Sequence, residues 1–356
     1  MSVHPVMPQT LRGGFVEAHP DVRLLDGGHV GDLEAYLLER RVVDESELPI
    51  RVAPAGDGNM NLTLRVTLPG RSLILKQGRP WVEKYDHIAA PWGRTLIEGR
   101  FYTLAARASG VSMRLPRLLD MDERNRIIAL EDFGQAGDFS SIYRDGRLAA
   151  STLPDLLEWL AALARLDVPT NLREAFANRE MRALNHAHMF VVPLNEHNGL
   201  DLDGITPGLA AAARAVQRDR EYTSRVARFG AAYLSDGPCL VHGDFFPGSW
   251  VRTPDGVRVI DPEFCFLGAR EFDYGIMLGH LALAGERRDL AEQVLASATA
   301  QRLDERLVMG FAGTEIMRRL IGIAQLPLAC GIDVKRRMLD VSRQFVLSPE
   351  RGLPPW

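Results

Sequence analysis

The sequence predicts an α+β chain in two parts, a small β-rich N-terminal lobe and a larger, mainly helical C-terminal lobe. Three observations predict it. Short apolar runs of alternating polarity cluster between residues 50 and 76, with another at 127–130. From residue 151 onward the apolar spacing becomes helical. Within that helical half, Val251 and Val257–Ile260 flank Pro254-Asp255-Gly256, a β-hairpin signal in which Pro presets φ and Gly supplies a positive one. The expected organisation is a tail over 1–28, an N-terminal lobe over 29–132 and a C-terminal lobe over 133–356.

Composition sets bounds on this picture. With 46% hydrophobic and 25% charged residues in 356, the chain is ordinary globular material with room for two lobes. A net charge of -4 gives no basic excess for a nucleic-acid surface. Only three of the 42 basic residues are lysines (76, 84 and 335), which draws attention to any lysine in a telling place. Three widely spaced cysteines, 239, 265 and 330, form neither a disulfide framework nor a zinc pattern. No signal-peptide pattern and no apolar run of about 18 residues is found, so a cytoplasmic protein outside the membrane is expected.

Taken in order, residues 1–28 lack periodicity and read as a loosely tied tail. Asp32–Arg41 reads as a helix, with Leu33, Tyr36, Leu37 and Leu38 near one face. Ile50–Pro54, Leu62–Val66 and Leu73–Lys76 read as strands. Between the first two lies Gly56-Asp57-Gly58-Asn59-Met60-Asn61, a loop whose backbone N–H groups could close over phosphates. Such turns are also common in plain hairpins, and no Gly-Lys-Ser/Thr follows. Lys76 adds weight, because a lysine ending an apolar strand is costly to bury unpaired. Glu98, on the helical stretch 94–106, is its expected partner; a lysine snorkelling to solvent is the alternative.

The strand 127–130 runs into Glu131-Asp132-Phe133-Gly134. Asp-Phe-Gly is a metal-binding motif of protein kinases, but there it follows the catalytic loop, and here it lies far upstream of His242-Gly243-Asp244. Residues 131–134 are read instead as a hinge, where the backbone of Glu131 and Phe133 could meet adenine. Helices are expected over 153–166, 208–234, 272–284 and 289–311, with a buried face on Ile316, Leu320, Ile323 and Ala324. His186, His188 and His197 lack a third spaced ligand and read as core or surface histidines.

The hairpin brings Asp244, before it, towards Asp261 and Glu263 at its far end. Three converging carboxylates repel one another unless a cation or a reacting proton intervenes, and magnesium held by one or two carboxylates plus phosphate oxygens is the usual solution. Asp244 would then take a hydroxyl proton. Singly, each acid serves equally as a turn cap or a solvated strand end. Asp273 reads as a helix N-cap or a brace for the catalytic loop. Arg318 and Arg319, about 100° apart on a helix, could flank one cleft or be solvated.

The order glycine loop, strand Lys, helix Glu, hinge, His-Gly-Asp loop, hairpin, metal Asp resembles the two-lobed, protein-kinase-like phosphotransferases that act on aminoglycosides and choline. Within them the 5-methylthioribose kinases are the most similar. The shared details are Gly56–Asn61, Gly248-Ser249, Asp261-Pro262-Glu263-Phe264, and Arg318-Arg319 followed by Gly322 and Ala324, within residues 30–345. The resemblance implies a bilobal protein-kinase-like fold, with ATP and magnesium as cofactors and a small hydroxylated molecule as substrate. It implies Asp244 as catalytic base, with Arg318 and Arg319 reaching the sugar and the transferring phosphate. Asp261, Glu263 and Ser249 would hold the metal. Gly56, Asp57, Gly58, Asn59, Asn61, Lys76, Glu98, Glu131 and Phe133 would bind nucleotide. Where these kinases read Leu-His-Thr, this chain has Phe245-Phe246-Pro247, so Phe246 is expected to shape the acceptor pocket. A homodimer is left open. Two other classes remain beside the kinase: a nucleotide-binding pseudo-enzyme and a metal-binding structural protein built on the histidines.

Overall fold

The computed structural model describes residues 11–56, 60–144, 146–328 and 330–356. The chain divides into two compact units, Met1–Arg107 with Pro116–Gln135, and Ala108–Leu115 with Ala136–Trp356.

The first unit begins with α1 (Leu11–Ala18), whose Phe15 meets Trp81 and Trp92 edge-on at 5.8 and 5.0 Å between ring centroids. Leu25, only 3% exposed, joins the core. Residues 11–28 are therefore held by single anchors rather than by a repeating apolar face, which is why a periodicity search reads them as tail. Next come α2 (Val30–Glu39), β1 (Arg51–Pro54), β2 (Leu62–Leu68), β3 (Arg71–Gln77), the small hairpin of β4 (Trp81–Val82) and β5 (Tyr85–Ala89), and α3 (Arg94–Ala105). β6 (Leu118–Asp122) and β7 (Ile127–Glu131) complete an antiparallel sheet of order β1-β2-β3-β7-β6. Alternation works as expected: Leu64, Val66, Leu73 and Leu75 pack against Leu33 and Leu37 of α2.

The second unit takes α4 (Ser109–Ser112) because the Trp159 indole N–H donates to the Val111 carbonyl, 3.1 Å, and Val259 N–H to the Arg114 carbonyl, 2.7 Å. It continues with α5 (Thr152–Leu163), α6 (Thr170–Arg173), α7 (Arg179–His186), a π-helical turn over Ala187–Val191, α8 (Leu202–Ile205), α9 (Leu209–Gln217) and α10 (Arg220–Leu234). The stretch 208–234, expected as one helical region, is two helices, because the Asp219 carboxylate caps α10 by accepting Tyr222 N–H. Two short antiparallel pairs follow, β8 (Cys239–Val241) with β11 (Phe266–Gly268), and β9 (Trp250–Thr253) with β10 (Gly256–Val259). Thr253 pairs with Gly256, so the hairpin loop is Pro254-Asp255 and Gly256 opens the second strand.

The helices α11 (Glu271–Leu283), α12 (Arg288–Ala300), α13 (Glu305–Ile321) and α14 (Ile332–Leu347) finish the unit. The expected 289–311 helix is divided at Asp304, which caps α13 through Arg306 N–H. α13 stops at Ile321, and Ile323, expected on its buried face, is 50% exposed. A Cβ on Gly279 of α11 would stand 2.9 Å from the Ala312 carbonyl oxygen of α13, and one on Gly275 2.6 Å from Phe311 Cβ. The two helices thus meet backbone to backbone.

Candidate active site

β8 delivers the His242-Gly243-Asp244 turn. Gly243 has φ +83°, and a Cβ there would stand 2.1 Å from the Phe264 carbonyl oxygen, so only glycine fits. The His242 and Gly243 N–H groups donate to the Asp273 carboxylate at 2.6 and 3.0 Å. Asp273 therefore braces the loop and does not cap α11, which is preceded by Arg270. Burial pushes the Asp273 carboxyl up to about 7 against those two hydrogen bonds. His242 Nε2 donates to the Ile260 carbonyl, 3.0 Å, which leaves Nδ1 to accept Asp244 N–H, 3.3 Å. The Ser249 hydroxyl donates to the Asp244 carbonyl, 2.9 Å. Ser249, expected at the metal, is thus seen tying the loop.

The Asp244 carboxylate, 23% exposed, lies 3.5 Å from Arg319 Nη2 and 3.8 Å from Arg318 Nη2. Burial raises its pKa, and the two guanidiniums lower it without cancelling the rise. Both arginines are buried on the last turn of α13. Arg319 Nε donates to Glu315 Oε1 at 2.6 Å, and Arg318 Nε lies 3.5 Å from Glu315 Oε2. Arg318 Nη1 also donates to Asn185 Oδ1, 3.0 Å. The neighbouring positions that could have splayed apart are drawn to one side by two carboxylates.

Sequence reasoning missed Glu315, although it stands three and four residues before the arginines, the spacing of a helical ion pair. Asn185 carried no local signal. The Phe246 ring lies 4.8 Å from the Arg319 guanidinium. Phe245 is core, stacked on Trp159 at 5.3 Å, so of the two phenylalanines only Phe246 faces the arginine pair.

Asp261 stands at φ +62° and opens the turn that carries Glu263, 8% exposed. Asn178 Nδ2 fixes that turn by donating to the Glu263 and Cys265 carbonyls, 3.1 and 2.9 Å. Among the described residues no group of three or more His, Cys, Asp or Glu is placed to hold a metal. Asp244, expected to converge with Asp261 and Glu263, has the arginine pair beside it. Asp261 and Glu263 remain an all-oxygen pair of the kind magnesium uses when phosphate supplies the other ligands.

In the first unit, Lys76 Nζ lies 2.9 and 3.0 Å from the two carboxylate oxygens of fully buried Glu98, which also accepts from the Tyr102 hydroxyl at 3.2 Å. Asn61 is buried, and Gly56 is exposed with φ +72°. Asp57, Gly58 and Asn59 lie outside the described residues. The Glu131 N–H donates to the Arg117 carbonyl, 2.9 Å. The Asp132 carboxylate takes Arg65 at 2.7 and 3.0 Å and the Ser72 hydroxyl at 2.6 Å. So occupied, Asp132 is a brace at the strand end, in keeping with its reading as something other than a kinase metal motif.

The sequence pattern of the phosphotransferase enzyme family matches residues 51–310, more than half of the chain. The chain belongs to that family. This phosphotransferase is thus an enzyme that phosphorylates a hydroxyl of a small molecule. It is 27% identical to the methylthioribose kinase of Geobacillus thermodenitrificans over 344 residues, 83% of this chain and 84% of that one. It is also 27% identical to the enzyme of the same name from Geobacillus kaustophilus over 355 residues, 84% and 87% of the two chains. Among solved structures, a choline/ethanolamine kinase family protein from Mesorhizobium loti aligns at TM-score 0.53 and 15% identity, covering 90% of this phosphotransferase and 95% of that chain. A spectinomycin phosphotransferase in complex with ADP and spectinomycin aligns at 0.52 and 12%, covering 90% and 98%. These two likenesses show the kinase-like fold.

Proposed function

We propose that this phosphotransferase moves the γ-phosphoryl group of ATP to a hydroxyl of methylthioribose or a closely related modified pentose. The observation that carries the reading is the arginine pair at 3.5 and 3.8 Å from the Asp244 carboxylate. Asp244 accepts the proton of the acceptor hydroxyl, whose oxygen bonds to the γ-phosphorus as the bond to the departing ADP breaks. Burial makes Asp244 a stronger base than an exposed aspartate. Two arginines balance Asp244 and Glu315, so the site is near neutral before substrate arrives. Among the described residues Arg319 Nη2 has no hydrogen-bond partner, only the Asp244 carboxylate at 3.5 Å, which leaves a donor for an oxygen of the phosphoryl group or the sugar.

With Asp244 and Glu315 already matched by the arginines, the pair offers a polycationic aminoglycoside no excess of carboxylate to hold it. It also weakens a choline reading, because the Phe246 face that could join an aromatic cage already carries the Arg319 guanidinium. The agreement with two curated methylthioribose kinases supports the sugar. On the nucleotide side, Lys76 held by Glu98 would bind phosphates, the loop Gly56–Asn61 would cover them, and the backbone of Glu131 and Phe133 would meet adenine. Asp261 and Glu263 would hold magnesium, which neutralises phosphate charge when bound.

The experiment is a panel of acceptors with purified protein and Mg-ATP, following ADP release and phosphorylated product. Methylthioribose should give the highest kcat/KM. Choline or spectinomycin used at least as efficiently would overturn the acceptor. ATP binding without turnover on any acceptor would return the chain to the pseudo-enzyme class.

A further inference from the structure

The contact between α11 and α13 sets His280, next to Gly279, against Glu315. His280 and Glu315 are both fully buried, with His280 Nε2 3.0 Å from Glu315 Oε1. On its other side, His280 Nδ1 lies 2.6 Å from the hydroxyl of buried Tyr143, carried by the one-turn helix Ser140–Tyr143. Arg318 and Arg319 keep Glu315 ionised, so Glu315 can only accept and His280 Nε2 must carry the proton. Nδ1 then has only a lone pair, and the Tyr143 hydroxyl must donate to it. Burial lowers the His280 pKa to about 4, which keeps the ring neutral near pH 7. The result is one directed line, Tyr143 to His280 to Glu315, and Arg319 Nε donates to the same Glu315 oxygen at 2.6 Å.

We infer that Tyr143 and His280 are positioning residues for phosphoryl transfer, acting through Glu315 to hold Arg319 against Asp244. Glu315 Oε1 receives one donor from its own helix and one from α11, so its carboxylate plane has a single setting. With only the Arg319 bond and the longer Arg318 contact, the carboxylate has more room to turn about its last torsion and carry the guanidinium with it. Phe246 closes the arrangement, its ring 5.3 Å from His280 and 4.8 Å from Arg319. A core this deep is filled at least as stably by apolar side chains as by a polar line. The line leads from three separate elements to Arg319 Nε, while Nη2 of the same rigid guanidinium lies 3.5 Å from Asp244, so fixing Glu315 fixes the direction of both.

The inference rests on the phosphoryl-transfer reading of Asp244 and Arg319, and a double-mutant cycle separates the two. His280→Leu should lower acceptor kcat/KM by ~10-fold or more while the KM for ATP stays unchanged. His280→Gln, which can donate to Glu315 and accept from Tyr143, should recover most of that loss. Tyr143→Phe should give a smaller loss of the same kind. Arg319→Lys should lose ~10²-fold, and His280→Leu/Arg319→Lys should be no worse than Arg319→Lys alone. Losses that multiply to ~10³-fold would overturn the inference, as would a His280→Gln no better than His280→Leu, or a His280→Leu that lowers only the melting temperature. Should His280→Leu fail to fold, Tyr143→Phe takes its place in the cycle with the same two outcomes. Wild-type turnover in Arg319→Lys would instead overturn the role of the arginine and this inference with it.

Discussion

Glu315→Gln removes one buried charge while keeping the side chain's size. The native carboxylate takes Arg319 Nε at 2.6 Å and His280 Nε2 at 3.0 Å. Burial alone would raise its pKa, but Arg318, Arg319 and the His280 hydrogen bond hold it well below the usual carboxylate range. In the variant, two arginines that are each 6% exposed keep Asp244, at 3.8 and 3.5 Å, as their carboxylate partner among the described residues. Breaking a buried ion pair costs ~3–5 kcal/mol, and the low end applies because Asp244 and Asn185 still engage the guanidiniums. At ~2–4 °C per kcal/mol for a unit of this size, the melting temperature should fall by ~6–12 °C at pH 7.

The sign of the pH effect follows from the depressed pKa. Glu315 stabilises fully above its unfolded value near 4.5, and this contribution is lost as pH falls towards the folded value. The gap between wild type and variant should therefore narrow in acid. Glu315 also raises the pKa of Asp244, so without it the acid limb of the pH–rate profile should move to lower pH. Scanning calorimetry at pH 7 and pH 4, with initial rates across the acid range, measures both. A melting temperature within ~1 °C of wild type at pH 7, or an acid limb moved to higher pH, would refute the reasoning.

Asp244→Asn should cut turnover by ~10²-fold or more with ATP affinity kept, measured by steady-state kinetics and nucleotide titration; near-normal turnover would remove it as the base. Glu263→Ala should raise the magnesium concentration needed for half-maximal rate, and wild-type behaviour at limiting magnesium would leave Glu263 a turn residue. Lys76→Ala should raise the KM for ATP, and Lys76→Arg should restore it only in part, because a planar fork does not replace a compact ammonium beside Glu98.

Much of this was legible in the chain because local chemistry announced it. Lys76 stood out as one of three lysines, at the end of an apolar run, with Glu98 at helical spacing from its neighbours. The two-part architecture followed from a change of period from two to 3.6. What escaped was of two kinds. Asp219 and Asp304 are ordinary N-caps that divide expected helices, and their side chains were readable as such. Tyr143, Asn178, Asn185 and His280 were not readable, because each acts across 35 or more residues of sequence on a partner that only tertiary packing supplies. Phe246 was legible as a replacement in the loop, yet its face-on approach to Arg319 needed coordinates.

The backbone contact at Gly279 has a consequence for how this enzyme could change over time. Helices separated by side chains can slide as those side chains are exchanged, and whatever they display drifts with them. Here α13 rests on α11 with the Ala312 carbonyl 2.9 Å from where a methyl at 279 would begin. The arginines are thus referred to a fixed datum that mutations elsewhere in the core hardly disturb. A single methyl at 279 would lift that datum and shift both guanidiniums at once. If the pair meets the acceptor as proposed, variation in acceptor preference would be channelled to side chains around it, Phe246 first, while the register of α13 stays locked.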